Sequence, residues 1–234
     1  MEYIIIMIIS VIAIILLKVG LNIRIKDIKK VKKIGYDKYL NQIANKFPDN
    51  KEICKDILKK LNNKEVKIEE NQESKTSLYI ALTNKIIIAN IKDTFSRIQT
   101  IAHECLHSVQ NRKILIFNFI YSNIFLFYFI IAFFLILFDI GYSYIYIQIF
   151  TILSIIYCVV RGYLENEAMS KAIYVAKEYM EEYAKKDKNI LKEDINILVE
   201  NFDRLNKIGI PLINFSIVAG NIIKIIILSI IALI

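Results

Sequence analysis

Four long apolar stretches alternate with charged segments along this chain, and the alternation predicts a membrane protein of mainly α class. The first stretch occupies residues 1–21, and the last occupies residues 210–234. Residues 113–160 hold the other two, separated by a short polar break at residues 139–143. A helix of about 20 residues crosses the hydrocarbon core of a bilayer. We therefore expect about four transmembrane helices, of which the middle two form a hairpin.

Composition agrees with this pattern, since 56% of the residues are hydrophobic and the mean hydropathy is +0.44. Ordinary soluble domains of this size are less apolar. The formal net charge of +8 does not predict nucleic-acid binding, because the lysines are interspersed with acidic residues and no groove-reading motif is present. We expect the lipid bilayer as a partner and no nucleic acid.

The distribution of lysine and arginine predicts how the chain is oriented in the membrane. Most of them lie in residues 22–112 and 161–209, whereas the loop within the hairpin has none. By the positive-inside rule, these two segments face the cytoplasm and both termini lie outside, in a multi-pass protein of the plasma membrane. Three widely spaced cysteines without a C-x-x-C pair fit the reducing side. The densest basic cluster follows the first span and consists of Arg24, Lys26, Lys29, Lys30, Lys32 and Lys33.

Residues 22–112 show the shorter periods of a folded α+β domain. Amphipathic helices are predicted over residues 36–47 and 51–61. The sequence Pro48-Asp49-Asn50 between them is a turn signal that also favours the start of the second helix.

Three runs of β-branched or alternating residues predict strands, and Thr83-Asn84 between the last two predicts a hairpin. Asp93 or Thr94 is then expected to cap a helix that continues through Asn111. We expect the strand before this helix to have a free edge, which can bind an extended peptide by main-chain hydrogen bonds. The predicted strands cover residues 65–69, 78–82 and 85–89.

Residues 161–209 are charged and predict two helices, which Gly209 and Pro211 are expected to separate from the last span. Lys224 lies well inside that span, where a charge is costly. We expect its side chain to face the interior of the helix bundle, against Asp139 or Asn221.

The chain contains two histidines, and they stand four residues apart in a His-Glu-x-x-His motif. Residues i and i+4 of a helix lie on the same face, so His103 and His107 can bind a single ion. Glu104 follows the first histidine and is placed to take a proton from a water molecule at that ion. This pattern is typical of zinc-dependent hydrolases.

Two histidines leave such a site incomplete, because catalytic zinc normally has three protein ligands. A carboxylate on a later helix is the expected third donor, and Glu165 and Glu167 are both candidates. Two predicted membrane crossings separate His107 from Glu165, and an even number returns the chain to the same side of the membrane. The residues alone leave both carboxylates open.

Two segments of the chain resemble the bacterial membrane-embedded neutral zinc metallopeptidases, the YugP-like family. They are Ala-His-Glu-Cys-Leu-His-Ser-Val-Gln at residues 102–110 and, after the hairpin, Leu-Glu-Asn-Glu-Ala-Met-Ser-Lys-Ala at residues 164–172. The chain departs from the family at Leu106, where glycine is usual, and at Glu167, where the family has aspartate.

This resemblance implies a zincin-like cytoplasmic part and a bound zinc ion. It favours Glu165 as the third ligand and makes Glu104 the general base. Glu167 is then a second carboxylate that orients a histidine. The implied zinc ligands are His103, His107 and Glu165.

The expected function is zinc-dependent hydrolysis of peptide bonds in a protein or peptide substrate, at the cytoplasmic face of the membrane. The alternative is a non-catalytic membrane scaffold or regulator with a structural or vestigial metal site. An intramembrane protease of the site-2 type fits less well, because polar residues surround the motif. Stabilisation of the oxyanion is expected from Tyr163, Tyr174 or Arg161.

Overall fold

The computed structural model describes residues 1–74 and 76–234. Helices dominate this part of the chain, which confirms the prediction of a mainly α protein. In chain order the elements are α1 (Glu2–Gly20), α2 (Ile25–Gly35), α3 (Lys38–Ala44), α4 (Asn50–Lys60), β1 (Lys67–Asn71), β2 (Leu78–Ile80), β3 (Lys85–Ala89), α5 (Arg97–His107), α6 (Arg112–Leu137), α7 (Ser143–Ala184) and α8 (Lys192–Ile231).

The described chain divides into two compact units. The apolar unit consists of residues 1–23, 116–163 and 210–234, and the polar unit consists of residues 24–115 and 164–209. The long helices α7 and α8 each contribute an apolar part to the first unit and a charged part to the second.

The apolar unit has the surface of a protein that lies in lipid. Among the described residues, four helices are long and apolar enough to cross a membrane, namely α1, α6, α7 and α8. Leu16, Phe127 and Val159 are 65%, 64% and 66% exposed. Such a surface is unfavourable in water, whereas hydrocarbon chains solvate it well. The four predicted apolar stretches are therefore confirmed as helices suited to a membrane protein.

Inside the apolar unit, Lys224 lies against Asn221, one of the two partners expected from the sequence. The Lys224 Nζ is 3.3 Å from the Asn221 Oδ1. The same ammonium group lies 5.2 Å from the centroid of the Phe125 ring and 5.9 Å from that of Phe129. A cation over an aromatic face is attracted by the negative face of the ring. The charge is thus held by one amide and two aromatic rings.

Aspartate side chains begin α3 and α4 in the polar unit. The Asp37 Oδ1 accepts hydrogen bonds from the backbone N–H groups of Tyr39 and Leu40, and the Asp49 Oδ1 accepts one from Glu52. Each satisfies backbone donors that a helix leaves unpaired at its N-terminus. The predicted turn and helix start at Asp49 are confirmed. Both helices pack into a core that includes the fully buried Ile53, Ile57, Phe95, Met180 and Phe202.

The sheet formed by the described residues has the order β1-β3-β2, with β1 parallel and β2 antiparallel to β3. The predicted hairpin is confirmed, because Asn84 joins β2 to β3 with a φ of 48°, a conformation that asparagine adopts more readily than most residues. The expectation of a free edge on β3 is wrong. Ile68 of β1 lies opposite Ile86, so parallel pairing covers that edge and leaves β1 and β2 as the outer strands.

The helix that carries the histidine motif is shorter than predicted. α5 begins at Arg97, and the Thr94 Oγ1 donates to the carbonyl of Ile91 at 2.8 Å instead of capping the helix. The prediction of a cap at Asp93 or Thr94 is therefore wrong. α5 also ends at His107, before the expected Asn111.

The second wrong boundary is the one expected at Gly209 and Pro211, because α8 is continuous through both residues. Proline removes one backbone hydrogen bond from a helix. On the two sides of this point, the fully buried Phe202 packs in the core of the polar unit and the fully buried Leu228 packs in that of the apolar unit. Tertiary packing thus outweighs the local preference of proline.

Candidate metal centre

One face of α5 is buried in the core of the polar unit, and this burial fixes the rotation of the helix. Ile101, Ala102 and Cys105 are at most 1% exposed. His103 and His107 belong to the adjoining face, where their side chains keep 18% and 12% exposure. The two imidazoles are therefore shielded from bulk water but remain accessible to small solutes.

Arg97 anchors the first turn of α5. Its guanidinium is 2% exposed and donates hydrogen bonds to the carbonyls of Ala44, Phe47 and Pro48 and to the Asn50 Oδ1, at 2.8–2.9 Å. These carbonyls lie at the end of α3 and in the turn after it, where backbone acceptors lack helical partners and favour a cation. The start of α5 is thus fixed against the turn between α3 and α4.

Asn63 holds the other end of α5. The Asn63 Nδ2 donates to the carbonyl and to the Oγ of Ser108, at 2.9 and 3.0 Å. The Ser108 Oγ in turn donates to the carbonyl of Cys105 at 2.6 Å. The last turn, which carries His107, is therefore tied down directly after that residue.

The polar unit brings the two histidines of α5 together with a carboxylate of α7. The Nε2 atoms of His103 and His107 lie 3.0 Å apart. The Glu165 Oε2 lies 3.4 Å from the His103 Nε2 and 3.8 Å from the His107 Nε2. The three side chains offer two nitrogens and one oxygen within 4.8 Å of one another, and this cluster could hold a metal ion.

The donor set and its spacing fit zinc. Zinc binds imidazole nitrogen and carboxylate oxygen at about 2.0–2.2 Å, so donors that share a tetrahedral ion lie roughly 3.3 Å apart. The three distances in the cluster, 3.0, 3.4 and 3.8 Å, bracket that value. Two histidines and one carboxylate are also a ligand set of catalytic zinc sites.

A polar link between helices supports the position of α7 relative to α5. The Gln99 Nε2 donates to the Asn206 Oδ1 at 2.7 Å, and the Asn206 Nδ2 donates to the carbonyl of Met169 at 2.8 Å. Both amide side chains are more than 90% buried, where each unsatisfied polar group would be costly. This link joins α5 to α7 through α8, one turn beyond Glu165.

Gln110 connects His107 to the segment that carries Glu165. The Gln110 Nε2 donates to the carbonyl of Leu164 and to the Glu167 Oε2, both at 2.9 Å. Because the amide nitrogen serves these two acceptors, the Gln110 Oε1 is the atom that lies 2.7 Å from the His107 Nδ1. The Nδ1 must then carry the proton, which leaves the lone pair of the neutral ring on the Nε2, facing the cluster.

Glu167 therefore acts on the histidine through Gln110. Its other oxygen accepts a hydrogen bond from the Lys171 Nζ at 2.6 Å. This hydrogen bond, helped by that of Gln110 and opposed by partial burial, lowers the pKa of the Glu167 carboxyl from its ordinary value of 4.5. Glu167 is thus an ionised acceptor at neutral pH, and Glu165 is the carboxylate that lies beside both imidazoles.

Glu104, Cys105 and Leu106 lie between the two histidines, and all three are buried. Glu104 is 7% exposed on α5. The Cys105 Sγ lies 3.6 Å from that of Cys54, and burial raises the pKa of the Cys105 thiol well above its ordinary value of 9.0. Cys105 is therefore a protonated packing residue in the core.

Comparison of the chain with protein-family models, with curated proteins and with solved structures found no match. The resemblance to the YugP-like family therefore rests on the residues of the two short segments quoted above.

Sequence reasoning missed the roles of three polar residues around the site. Gln110 stands three positions after His107, and this short spacing was the available signal for its contact. Arg97 and Asn206 gave no such signal, because the partners of their hydrogen bonds are far away in the chain. Ala44 is 53 residues from Arg97, and Met169 and Gln99 are 37 and 107 residues from Asn206. Only the fold brings these groups together.

Proposed function

We propose that the protein is a membrane-bound zinc-dependent metallopeptidase that hydrolyses peptide bonds of a protein or peptide substrate. The observation that carries this proposal is the cluster of His103, His107 and Glu165, whose donor atoms lie within 4.8 Å of one another. Glu104 stands next to His103 on the same helix. A metal-binding set with an adjacent carboxylate is the arrangement that metal-assisted hydrolysis needs.

The roles of the side chains follow from their chemistry. His103, His107 and Glu165 would hold zinc, and a zinc ion bound there would lower the pKa of a water molecule toward neutrality and polarise a peptide carbonyl. Glu104 would accept a proton from the attacking water as the water oxygen bonds to the peptide carbonyl carbon, and would give that proton to the leaving amine as the C–N bond breaks. Gln110 keeps the proton of His107 on the Nδ1, so the Nε2 stays available as a ligand.

The proposed location of the site is the cytoplasmic face of the plasma membrane. The chain crosses the membrane twice between His107 and Glu165 if α6 and the first half of α7 are spans. Lysine and arginine are concentrated in the segments that carry the site, and the positive-inside rule assigns those segments to the cytoplasm.

The second candidate function is a non-catalytic membrane scaffold or regulator with a structural or vestigial metal site. Structural zinc sites are normally closed by four ligands and rich in cysteine. The cluster here offers two imidazoles and one carboxylate, and the nearby Cys105 thiol is buried in the core. This donor set favours catalysis.

The decisive experiment separates metal binding from proton transfer. The full-length protein is purified in detergent, its zinc content is measured by mass spectrometry, and cleavage of a quenched-fluorescent casein substrate is followed. We expect Glu104→Gln to keep near-stoichiometric zinc and to lose about 10²–10⁴-fold in cleavage rate, the usual contribution of a general base. His103→Ala should lose zinc and cleavage together, as should treatment with a chelator.

The matched control is Glu181→Gln, an identical change at a carboxylate that is 47% exposed on α7. It should leave zinc content and cleavage unchanged. Cleavage by Glu104→Gln at the parent rate would refute the proposed mechanism. Zinc binding without any cleavage by the parent protein would favour the scaffold.

A further inference from the structure

The helix α2, which follows the first predicted span, is amphipathic. Four apolar residues recur at three-residue intervals, and this spacing places them along one side of the helix. Lys26, Lys29, Lys30 and Lys33 occupy the opposite side, and all four are exposed. The apolar residues are Ile25, Ile28, Val31 and Ile34.

The C-terminal end of this apolar face is packed against protein, whereas its first residues are exposed. Ile34 contacts the core of the polar unit. Ile25 and Ile28, in the first turns, are 67% and 43% exposed. Tyr36, directly after α2, and Tyr39, in the first turn of α3, are 71% and 58% exposed. The first half of α2 therefore presents an apolar edge that the described residues leave uncovered.

The charge of the segment points to an acidic surface as its partner. Residues 24–35 contain six cations and a single acid, Asp27. That acid is already paired with Arg24 at 2.8 Å, so the four exposed lysines face solvent while the single carboxylate of their helix is engaged elsewhere. Cations on one side and isoleucines on the other are the two components of a helix that lies in a membrane interface.

The short connection between α1 and α2 also favours a membrane surface as the partner of α2. Residues 21–24 join α1 to α2. Even fully extended, this link allows the start of α2 to move no more than about 18 Å from the end of α1. If α1 crosses the bilayer, the first turn of α2 remains within reach of the lipid headgroups.

We propose that α2 is an interfacial helix, whose Ile25 and Ile28 insert between lipids while its lysines bind anionic headgroups. The occupant of this surface is the acidic membrane leaflet at which α1 ends. This inference does not depend on peptidase activity.

The absence of tryptophan from the chain provides a clean probe. The full-length Ile25→Trp variant, which then contains a single tryptophan, is reconstituted into vesicles of phosphatidylcholine, with or without phosphatidylglycerol. Brominated lipids quench tryptophan only by contact. We expect blue-shifted emission and quenching that is about twofold stronger in the anionic vesicles, with the difference reduced by high salt.

Two variants test the two faces of α2 separately. Lys30→Trp places the probe on the opposite side and should be quenched little in either vesicle. In the Ile25→Trp background, replacing Lys26, Lys29, Lys30 and Lys33 by glutamine removes exposed charges without touching the core, and should abolish the preference for anionic vesicles. Far-UV circular dichroism checks that each variant is folded.

Three outcomes would overturn the proposal. Emission of the Ile25→Trp variant at the wavelength of water-exposed tryptophan would mean that the helix does not insert. A blue shift without quenching would mean that protein covers this face. Equal quenching in both kinds of vesicle, unchanged by the glutamine substitutions, would mean that the lysines do not recognise anionic lipid.

Discussion

The apolar and polar units contain parts of the same two helices, α7 and α8, yet their surfaces are opposite in character. In the polar unit, large side chains such as Phe202 are buried and lysines such as Lys29 and Lys30 are exposed. In the apolar unit, large side chains such as Phe127 are exposed, and Asn221 and Ser229 are buried. Identical backbone geometry is therefore compatible with either arrangement, and the surrounding solvent decides which side chains face outward.

The largest expected difference between the units is in what a phenylalanine contributes to stability. Phe202 is fully buried and stacks on Phe95 at a centroid distance of 5.9 Å, so Phe202→Ala should destabilise the polar unit by about 3–5 kcal/mol. Phe127→Ala changes a side chain that is 64% exposed, and in lipid it should cost less than about 1 kcal/mol.

The buried thiols of Cys54 and Cys105 report the opening of the polar unit, because both are fully buried in its core. The rate at which a thiol reagent labels them in proteoliposomes, in a Cys158→Ser background, measures the free energy of opening of the polar unit. For Phe127→Ala, unfolding by sodium dodecyl sulfate followed by circular dichroism measures the corresponding change in the apolar unit. Equal effects of the two phenylalanine substitutions would contradict the inference that the units face different solvents.

The second prediction concerns the hydrogen bonds that support the metal cluster of the polar unit. Gln110→Ala removes the acceptor of the His107 Nδ1–H. We expect zinc affinity to fall about 10–100-fold, the usual effect of losing a group that orients a ligand. Competition with a fluorescent chelator measures this affinity directly.

Asn63→Ala is the control for a merely structural effect. It removes the two hydrogen bonds to Ser108 at the end of α5 and leaves the contacts of His107 in place. Zinc affinity should change little, while stability falls. If both variants lose zinc equally, Gln110 supports the helix rather than the histidine.

The third prediction tests whether the apolar unit needs its interior charge. Lys224 has a hydrogen bond to Asn221 at 3.3 Å and lies over two phenylalanine rings. Replacing a buried charge by an apolar side chain of similar size is often neutral or stabilising, so Lys224→Met should raise stability by about 1 kcal/mol or leave it unchanged. Unfolding by sodium dodecyl sulfate, followed by circular dichroism, measures the change.

The exposed Lys18, near the end of α1, provides the comparison. Lys18→Met should have no measurable effect on unfolding. A large loss of stability in Lys224→Met alone would show that the ammonium group organises the bundle.

Much of the fold was predictable because its signals are local. The apolar stretches, the turn at Asp49 and the hairpin at Asn84 depend on residues within a few positions of one another. The path of α8 through Pro211 was not predictable in this way, since the packing of distant residues overrides the local rule. The amphipathic character of α2 was not predicted, because its lysines were interpreted only as a sign of how the chain is oriented in the membrane. The spacing of Ile25 and Ile28 nevertheless indicates an apolar face.

The candidate site likewise has a part that local sequence patterns predict and a part that depends on long-range packing. The spacing of His103 and His107 on one helical face follows from the period of the helix. Which of the two later carboxylates lies beside them depends on the rotation of α7, which no local pattern encodes. The link from Glu167 through Gln110 to His107 also joins residues that are more than 50 positions apart.

The smallest effect is expected from a surface ion pair of the polar unit. The Lys60 Nζ lies 2.7 Å from Glu182 and 3.2 Å from Glu178, joining α4 to α7. The hydrogen bond from Lys60 lowers the pKa of the Glu182 carboxyl from its ordinary value of 4.5. Because these glutamates are 59% exposed, solvent screens the pair, and Lys60→Met should cost no more than about 1 kcal/mol.

The sign of the pH dependence distinguishes this pair from the core. A carboxyl whose pKa is lowered by folding stabilises the folded state at pH values above its ordinary pKa. That contribution disappears as the pH falls through the lowered pKa of the folded state. The difference between the parent protein and Lys60→Met should therefore be present at neutral pH and vanish well below 4.5. The effect of Phe202→Ala should persist in acid as long as the unit remains folded, because no proton is involved. Thiol labelling at neutral pH and at a pH below 4.5 measures the effects of Lys60→Met and Phe202→Ala. A difference between the parent protein and Lys60→Met that survives in acid would mean that the packing of the lysine stem, rather than its charge, joins α4 to α7.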